Sequence, residues 1–291
     1  MTWSVTTLIE NHPDPEEKLT CEHGLSMLIE TDGYRLLMDT GDSGAFFDNA
    51  GTMDVSLDHL NGVLLSHAHY DHAGGLLRFI REKGKPEILY VGSHFFKKSY
   101  HVRKKGGLKY IGIRFDRRML EDLGVKICEI DSDSMQIYPG LTLHRNFTGI
   151  YDWEPMDDTF VCQYETPSCF GGRCMDSMLY TPDTFREETA VTLDTGQGLV
   201  LIVGCSHPGI MNIITTIEKR TGKKICGVIG GTHLMDAGPD RLQKTIEAFR
   251  DHDLRLIAVS HCTGQEQVEA LKEAFKDCFV LNCTGNVIEL T

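Results

Sequence analysis

Four potential metal ligands lie within six residues of this chain, in the segment Ser66-His67-Ala68-His69-Tyr70-Asp71-His72. The apolar run Gly62-Val63-Leu64-Leu65 before it predicts a buried strand, and residues 74–80 after it predict a helix. A strand that ends in a tight turn can aim several side chains at one point. Imidazole suits zinc, iron or nickel, and a carboxylate adds charge for a second ion. A His-rich surface turn is the alternative, but three His and one Asp at this spacing favour a metal site.

Three further histidines follow predicted strands in the second half of the chain. His207 lies in Gly204-Cys205-Ser206-His207, His233 in Gly230-Gly231-Thr232-His233, and His261 in Ser260-His261-Cys262. In α/β architectures, ligands gather at the ends of strands. A lone histidine after a strand is more often structural than ligating, but the recurrence favours a shared site. The residues alone do not say which histidines share it.

A predicted hairpin precedes the cluster. The apolar stretches 25–30 and 34–39 flank Thr31-Asp32-Gly33, and Asp-Gly is a strong turn signal between two strands. The second strand ends in Asp39-Thr40-Gly41. Taken alone, Asp39 could simply cap the turn that follows it.

Composition and charge restrict the class of protein. A hydrophobic content of 41% and a charged content of 24% are ordinary for a globular chain, and no apolar run approaches the ~20 residues that span a bilayer. The first residues lack a basic region and a long apolar core, so we expect no signal peptide and no membrane partner. The ten cysteines have no framework spacing and are then expected to be reduced thiols in a cytoplasmic protein. A net charge of -13 argues against a nucleic-acid partner.

The charge is distributed unevenly along the chain. Residues 97–118 contain nine basic residues and a single acid, Asp116. We expect this segment to attract an anionic small-molecule substrate, with Lys104 and Arg114 as candidate contacts. A solvated, mobile flap is the alternative, because charge runs are most often solvated.

The order of predicted elements indicates one domain over residues 1–291. Strands precede the His cluster, and strands alternate with helices from Glu188 onward, which fits two sheets in a sandwich with helices outside. Periodicity fails at residues 151–186, so we predict an irregular loop there. Its cysteines Cys162, Cys169 and Cys174 do not have zinc-knuckle spacing and are interpreted as free thiols. The oligomeric state, a homo-oligomer included, is left open.

The H-x-H-x-D-H pattern of residues 67–72 resembles the signature of the metallo-β-lactamase superfamily. The resemblance implies an α+β fold, the αββα four-layer sandwich, with two divalent metal ions at one edge. Asp39, in its Asp-Thr-Gly setting, matches the carboxylate that orients the metal-binding loop in that superfamily. The resemblance also implies the ligands, which are His67 and His69 with a later histidine for one ion, and Asp71 and His72 with His261 for the other.

This chain departs from the common superfamily pattern after the strand predicted at residues 199–203. Many members have an Asp there that bridges the two ions, whereas this chain has Cys205, with His207 two residues later. Either Cys205 replaces the bridge, or His207 supplies a ligand alone and the second ion is held more weakly. His144 is a further candidate for the intermediate histidine.

Four other segments resemble a narrower group, the dihydropterin ribofuranosyl-aminobenzene phosphate synthase family. They are Glu22-His23-Gly24-Leu25-Ser26, Gly204-Cys205-Ser206-His207-Pro208-Gly209, Gly230-Gly231-Thr232-His233-Leu234 and His261-Cys262-Thr263-Gly264. We expect His233 near the site as a catalytic residue together with Asp71, and His23 as a candidate substrate contact. Each histidine could instead close a turn beside a glycine.

The resemblance implies a metal-dependent hydrolase or transferase that acts on an anionic, phosphate- or pterin-bearing small molecule. A metal-bound hydroxide would be the nucleophile or base. Zinc is the expected ion, with manganese, iron and magnesium as alternatives. A phosphodiesterase-type hydrolase is the second enzymatic hypothesis. From another class, a di-iron redox protein is disfavoured because His69 stands where such members usually carry Glu, and a non-catalytic metal or ligand sensor is disfavoured by the full ligand set.

Overall fold

The computed structural model describes residues 2–164 and 180–291 of the chain. Its strands in chain order are β1 (Trp3–Ile9), β2 (Ser26–Thr31), β3 (Tyr34–Met38), β4 (Gly62–Leu65), β5 (Leu89–Gly92), β6 (Lys97–Val102), β7 (Leu108–Tyr110), β8 (Ile127–Ile130), β9 (Ser134–Tyr138), β10 (Leu141–His144), β11 (Phe160–Tyr164), β12 (Thr181–Pro182), β13 (Ala190–Thr195), β14 (Gly198–Val203), β15 (Ile225–Gly231), β16 (Leu256–Ser260), β17 (Phe279–Leu281) and β18 (Val287–Leu290). Its α-helices are α1 (Phe46–Thr52), α2 (Tyr70–Ala73), α3 (Leu76–Lys83), α4 (Arg117–Asp122), α5 (Ile210–Thr221), α6 (Pro239–Asp251) and α7 (Gln265–Ala274).

Two seven-stranded sheets pack face to face. The first has the order β18-β1-β2-β3-β4-β5-β8 and the second the order β17-β16-β15-β14-β13-β10-β9. Apolar side chains from both sheets, including Trp3, Leu36, Leu143 and Ile202, fill the space between them. Helices α1, α3 and α4 cover the outer face of the first sheet, and α5, α6 and α7 cover that of the second. The predicted αββα sandwich is therefore confirmed.

Parallel strands explain the continuous apolar runs of the sequence. Strands β3, β4, β5 and β8 are parallel neighbours in the first sheet, as are β14, β15, β16 and β17 in the second. Because both faces of such strands are covered, every residue of β4 is apolar or glycine and buried. Parallel neighbours end at one edge of a sheet, so the segments that follow β14, β15 and β16 lie side by side.

Helix α5 shows how the helical layers attach. Ile210, Ile213, Ile214 and Ile217 recur at helical spacing and are all fully buried. The helix ends at Gly222, whose φ of 68° is the left-handed conformation that glycine adopts easily at a helix end. The helix predicted from this isoleucine pattern is confirmed. Among the residues that the structure covers, no helix has both the length and the apolar character to cross a bilayer.

A third sheet of order β12-β11-β6-β7 corrects two expectations from the sequence. The region predicted as an irregular loop, residues 151–186, contains the strand β11, whose residues pair with β6 in a regular antiparallel register. The basic segment is likewise folded into β6, β7 and α4 rather than a structureless flap. All three residues of β7 are exposed, so this strand has no alternation of buried and exposed positions. Cys162 is buried in β11, whereas Cys169 and Cys174 lie outside the described residues.

Lys97 at the start of the basic segment is a buried structural cation. Its Nζ lies 2.5 Å from Asp183 Oδ1 and 2.7 Å from Glu187 Oε1, and all three side chains are fully buried. Burial would lower the pKa of Lys97, but Glu187 and Asp183 raise it above its usual value. This residue therefore ties the third sheet to residues 183–187 and is not available to an external anion.

Candidate metal centre

Asp39, which follows β3, holds the His-rich loop against the first sheet. Its φ of 61° is in the left-handed region that short polar side chains tolerate. One carboxylate oxygen accepts the Ser66 backbone N–H at 2.7 Å, and the other accepts the Ser66 hydroxyl at 2.7 Å. This second oxygen also lies 2.7 Å from His72 Nδ1. Because Nδ1 is engaged, Nε2 of His72 is left as the nitrogen that can ligate a metal.

Asp71, His72 and His261 converge on one point and are called the second ligand group. His72 Nε2 lies 3.1 Å from His261 Nε2, and Asp71 Oδ2 lies 3.7 Å from the His72 nitrogen and 3.4 Å from the His261 nitrogen. Cys205 Sγ is 3.2 Å from His72 Nε2. Metal–ligand bonds of ~2.0–2.3 Å in a tetrahedron separate the ligand atoms by roughly 3.3–3.8 Å. The observed separations of 3.1–3.7 Å are within about 0.2 Å of that range, so small shifts would let these atoms surround a divalent ion.

His67, His69 and His207 form the first ligand group. His67 Nε2 lies 3.1 Å from His69 Nδ1, and the His207 ring centroid is 4.9 Å and 5.0 Å from those of the two other imidazoles. Within the described residues, neither ring nitrogen of the buried His207 has a hydrogen-bond partner, and His69 Nε2 has none either. Buried polar atoms are rarely left unpaired in proteins. A bound cation is the partner that this all-nitrogen set fits.

Packing, rather than a polar partner, holds the His207 ring. The Phe185 ring stacks on it with a centroid distance of 3.9 Å and an interplanar angle of 5°. The His207 backbone N–H points at the Glu188 carboxylate, at 3.2 Å and 3.1 Å from its two oxygens. Ser206, the residue directly before His207, has a φ of 64°. This turn brings the imidazole back over the end of β14.

Cys205 lies between the two ligand groups. Its Sγ forms one candidate set with His67 and His207 and another with His72 and His261, with all ligand atoms of each set within 4.8 Å of one another. The preceding Gly204 permits this, because a Cβ there would lie 2.3 Å from the Ser66 hydroxyl oxygen. Of the two alternatives that the sequence leaves open, this geometry favours the one in which Cys205 stands in for the bridging carboxylate.

The first ligand group is electrostatically suited to bind a cation. Burial lowers the pKa of His67 and His207 well below the usual value, and the neighbouring imidazoles lower both further. Burial also lowers the pKa of His69, to about 3. All three rings are therefore neutral at physiological pH, with lone pairs to donate to a metal.

The second ligand group instead carries opposite charges. Burial would lower the pKa of His72, but the carboxylates of Asp39 and Asp71 raise it to about 9. Burial would raise the pKa of Asp71, but the charge of His72 lowers it well below its usual value. The group holds an ionised carboxylate at any pH near neutrality. A cation bound there competes with a proton on His72.

A cavity of about 200 Å³ opens over both ligand groups. The third sheet and the β7 edge supply part of its wall, with His101, Lys109 and Phe160. Tyr70 also lines it, and Lys109 Nζ lies 5.7 Å from the centroid of the Tyr70 ring. The cavity thus combines a metal-ligand floor with aromatic faces and one lysine.

The structure brings both singled-out histidines to the cavity. His23 Nε2 lies 3.3 Å from Asp71 Oδ2, and its exposed ring stacks on His261 with a centroid distance of 5.2 Å. His233 is half-buried, and its ring centroid lies 4.3 Å from that of His207. Both residues line the cavity, so both can reach a ligand there.

The two basic residues singled out from the sequence lie elsewhere. Lys104 is exposed in the turn between β6 and β7, and Arg114 is exposed with its guanidinium 3.0 Å from Asp42 Oδ1. The lysine that lines the cavity is Lys109, on β7. Strand pairing explains why Lys109 rather than Lys104 lines the cavity. Strand β7 folds back along β6, and the segment after β7 reaches the ligand groups, where Gly112 forms a β-bridge with His69.

His144, the other candidate for the intermediate ligand, is a structural histidine. It is buried in the second sheet, and its two ring nitrogens lie 2.9 Å from the Ser134 and Thr192 hydroxyl oxygens. Burial lowers its pKa to about 4. With both nitrogens engaged, it has no lone pair free for a metal.

Sequence reasoning missed Asn11, Phe185 and Glu188. Asn11 Oδ1 lies 2.9 Å from His261 Nδ1 across 250 residues of chain, and nothing in its surroundings except a loop signal marks it. Phe185 and Glu188 lie at or just after the end of the segment in which periodicity fails.

Comparison with known proteins agrees with this fold. Residues 19–136 match the model of the metallo-β-lactamase superfamily. The crystal structure of a metal-dependent hydrolase of the β-lactamase superfamily superposes with a TM-score of 0.82 at 25% sequence identity, covering 99% of both chains. The chain therefore has the metallo-β-lactamase fold, and the resemblance to that superfamily predicted from residues 67–72 is confirmed.

Two curated relatives are similar over nearly the whole length. The 7,8-dihydropterin-6-methyl-4-(β-D-ribofuranosyl)-aminobenzene-5′-phosphate synthase of Methanocaldococcus jannaschii is 27% identical over 291 residues, covering 98% of this chain and 96% of that one. An uncharacterized protein of the same organism is 28% identical over 273 residues, covering 94% and 95%. The narrower resemblance predicted from the four motifs is thus confirmed at the level of sequence similarity.

Proposed function

We propose that this protein is a metal-dependent enzyme, a hydrolase or transferase, that acts on an anionic small molecule bearing a phosphate or a pterin. One observation carries the proposal. The two ligand groups form the floor of a cavity whose wall holds Lys109 and the aromatic side chains Tyr70 and Phe160. Ligand sites of enzymes combine such apolar walls with a few convergent polar groups.

The residues of the first group would hold one divalent ion, and those of the second group another, with Cys205 between them. When bound, such ions would acidify a water molecule and polarise a phosphoryl oxygen. The carboxylate of Asp71 offsets cationic charge in the second group. Asp39 keeps His72 in the tautomer and orientation that ligation needs.

The remaining cavity residues would bind and orient the substrate. Lys109 offers a point charge to a phosphate, and the faces of Tyr70 and Phe160 can pack against a planar ring. His233 lines the cavity beside His207, so its side chain can contact the substrate there. A cavity of about 200 Å³ accommodates the reacting end of a pterin-linked phosphate rather than the whole molecule.

Similarity to known proteins supports the substrate class but does not distinguish a hydrolase from a transferase. The synthase to which the chain is similar is named for a phosphate-bearing pterin compound. A hydrolase is supported by the neighbour of known structure, a metal-dependent hydrolase. A phosphodiesterase-type hydrolase is the alternative within the same site, because the ligand groups would serve both reactions.

The test combines metal analysis with turnover. We expect protein purified from metal-supplemented medium to contain about two divalent ions per chain and to turn over phosphate esters, phosphodiesters or a pterin-linked phosphate. Lys109→Ala should raise KM for the anionic substrate roughly tenfold, the effect of losing a charge-assisted hydrogen bond of about 1.5 kcal/mol, with kcat little changed. Lys105→Ala, in the exposed β6–β7 turn, is the matched control and should leave KM unchanged.

Each outcome of this test decides between functions. Protein that retains no metal would overturn the enzyme proposal. Metal bound without turnover of any of these phosphates would favour a non-catalytic sensor. Hydrolysis of phosphodiesters without transfer to a second substrate would favour the phosphodiesterase alternative.

A further inference from the structure

Residues 183–188, here called the strap, contribute side chains to two different sites of the molecule. Phe185 stacks on His207 of the first ligand group at a centroid distance of 3.9 Å. Its two neighbours, Thr184 and Arg186, are exposed and line a pair of cavities outside the candidate metal centre. The strap therefore separates the candidate metal centre from a second space.

The two cavities form one continuous space, here called the strap cleft. Their volumes are about 820 Å³ and 420 Å³, and both are lined by Ser93, His94, Thr184 and Arg186. Each is larger than the cavity of about 200 Å³ over the ligand groups. Small-molecule sites typically have volumes of ~300–1,000 Å³. The cleft is therefore large enough for an organic ligand rather than a single ion.

The strap cleft lies where parallel strands of the first sheet end. Ser93 directly follows β5 and Asp131 directly follows β8, and both residues line the cleft. A Cβ at Gly92 would lie 2.0 Å from the Glu187 carbonyl oxygen, so the strap runs directly against the end of β5. Ligands of α/β architectures gather at the carboxyl ends of parallel strands. The cleft occupies this position at β5 and β8, beside the end of β4 that carries the His-rich turn.

Guanidinium groups dominate the charged lining of the cleft. Arg117 and Arg186 line the larger cavity, and Arg145 and Arg186 line the smaller one. In the described part of the chain, the carboxylates in the lining are Glu129 and Asp131, so three guanidinium groups face two carboxylates. The chain as a whole has a net charge of -13. A local excess of cationic groups on such a protein favours the approach of an anion.

The three guanidinium groups differ in what they can offer a ligand. Arg145 is buried and donates to the carbonyl oxygens of Ser93 and Arg186, at 3.3 Å and 2.6 Å, so it fixes the walls of the cleft. Arg117 pairs with Glu129 at 2.5 Å. The Arg186 guanidinium is exposed and has no acidic partner among residues 2–164 and 180–291. Arg186 can therefore form two parallel hydrogen bonds to a phosphate or carboxylate group.

We propose that the strap cleft is a second binding site, which takes a small organic molecule that carries a phosphate or carboxylate group. Arg186 binds the anionic group, and the Ser93 and Thr184 hydroxyls are further donors in the same lining. Phe96 and Phe147 contact the organic part of the ligand. The site needs no metal ion, so it does not rest on the proposed function.

Protection of Arg186 from chemical modification tests the site in the unaltered protein. Phenylglyoxal modifies exposed arginines and should label Arg186. Phenylphosphonate, an organic anion that cannot be hydrolysed, should slow this labelling roughly tenfold at about ten times its Kd, as measured by peptide mass spectrometry. Arg118, exposed on α4 and paired with Asp122 at 4.0 Å, is the internal control and should be labelled at the same rate with and without the anion.

Benzoate, tested in the same way, distinguishes the two kinds of anionic group. Stronger protection by phenylphosphonate would identify a phosphate-bearing ligand, and stronger protection by benzoate a carboxylate-bearing one. Unchanged labelling of Arg186 in the presence of both anions would overturn the inference.

Calorimetry of a variant gives a second readout. Arg186→Gln removes the charge and keeps a polar side chain of similar length, so the Kd of phenylphosphonate at the cleft should rise roughly tenfold. Arg118→Gln is the matched control and should leave this Kd unchanged, and circular dichroism verifies that both variants are folded. Phenylphosphonate bound over the ligand groups would respond to Lys109→Ala instead. Equal affinity in Arg186→Gln and wild type would contradict the second site, whereas the proposed function is tested separately by metal content and turnover.

Discussion

The two ligand groups are held in place by different forces. In the second group, polar partners fix the rings, since Asp39 engages His72 Nδ1 at 2.7 Å and Asn11 engages His261 Nδ1 at 2.9 Å. In the first group, the buried His207 has no such partner among the described residues and is held by the stacked ring of Phe185.

This difference predicts different behaviour without metal. Hydrogen bonds to Nδ1 set both the tautomer and the direction of Nε2, so the second group is organised before an ion arrives. The stacked Phe185 ring limits the tilt of the His207 ring but does not set the His207 tautomer. The unpaired ring nitrogens of His207 gain a partner only when a cation binds. We therefore expect His207 of the first group to depend on packing, and the second group to depend on hydrogen bonds.

The largest effect should come from Asp71→Ala. It removes the carboxylate of the second group, which lies 3.4 Å from His261 Nε2, so that group should lose its ion and activity should be abolished. The fold should persist because the side chain contacts ligands rather than a hydrophobic cluster. The metal content should fall from about two ions to one per chain, and the circular dichroism spectrum should be unchanged.

The matched control is Asp42→Ala, which removes a nearby carboxylate that pairs with Arg114. It should keep both ions. Normal turnover in Asp71→Ala would contradict the assignment of the second group.

Asp39→Ala should have the next largest effect. It leaves His72 without its orienting partner and leaves two buried Ser66 donors unpaired. We expect affinity for the second-group ion to fall roughly 10–100-fold and the free energy of unfolding to fall by about 3 kcal/mol. Metal competition with a chromophoric chelator and urea unfolding measure the two quantities. Equal losses of affinity at both groups would remove the proposed contrast between them.

Phe185→Leu should act on the first group alone. It removes the ring stacked on His207 while keeping an apolar side chain, so affinity at that group should fall by about 1.5 kcal/mol, roughly tenfold. Two-site calorimetric titration resolves the groups, and the second should be unchanged. Phe96→Leu, where the ring packs on Phe95 instead, is the control and should affect neither. A loss of metal affinity confined to the second group would contradict the role of Phe185 at the first group.

Asn11→Ala should have the smallest effect. It deletes the hydrogen-bond partner of His261 Nδ1, worth about 1 kcal/mol, together with the contacts of Asn11 to the Gly24 backbone N–H and to His23 Nδ1. Second-group affinity should fall roughly fivefold. Asn11→Asp keeps the acceptor and adds charge, so it should restore or exceed wild-type affinity. If both variants weaken binding alike, Asn11 acts through loop packing rather than through the imidazole.

Much of the fold was predictable because it depends on short-range patterns. The hairpin with Asp-Gly at its turn corresponds to β2 and β3, and the isoleucine spacing of α5 marks a helix packed on one face. Prediction failed at the third sheet, where β11 lies within a stretch without periodicity and pairs with β6 about sixty residues earlier. Such strands are specified by their partners rather than by their own alternation.

Residues 67–72 could be predicted to be a turn that gathers candidate metal ligands, because a buried strand followed by closely spaced His and Asp has few other uses. Tertiary structure decided which distant residues complete the site. It placed Cys205 between the two ligand groups, brought Asn11 to His261 across 250 residues, and chose Lys109 over Lys104 as the cavity lysine. The physical reason is that local patterns specify a strand and its end, whereas sheet order and packing decide which ends meet.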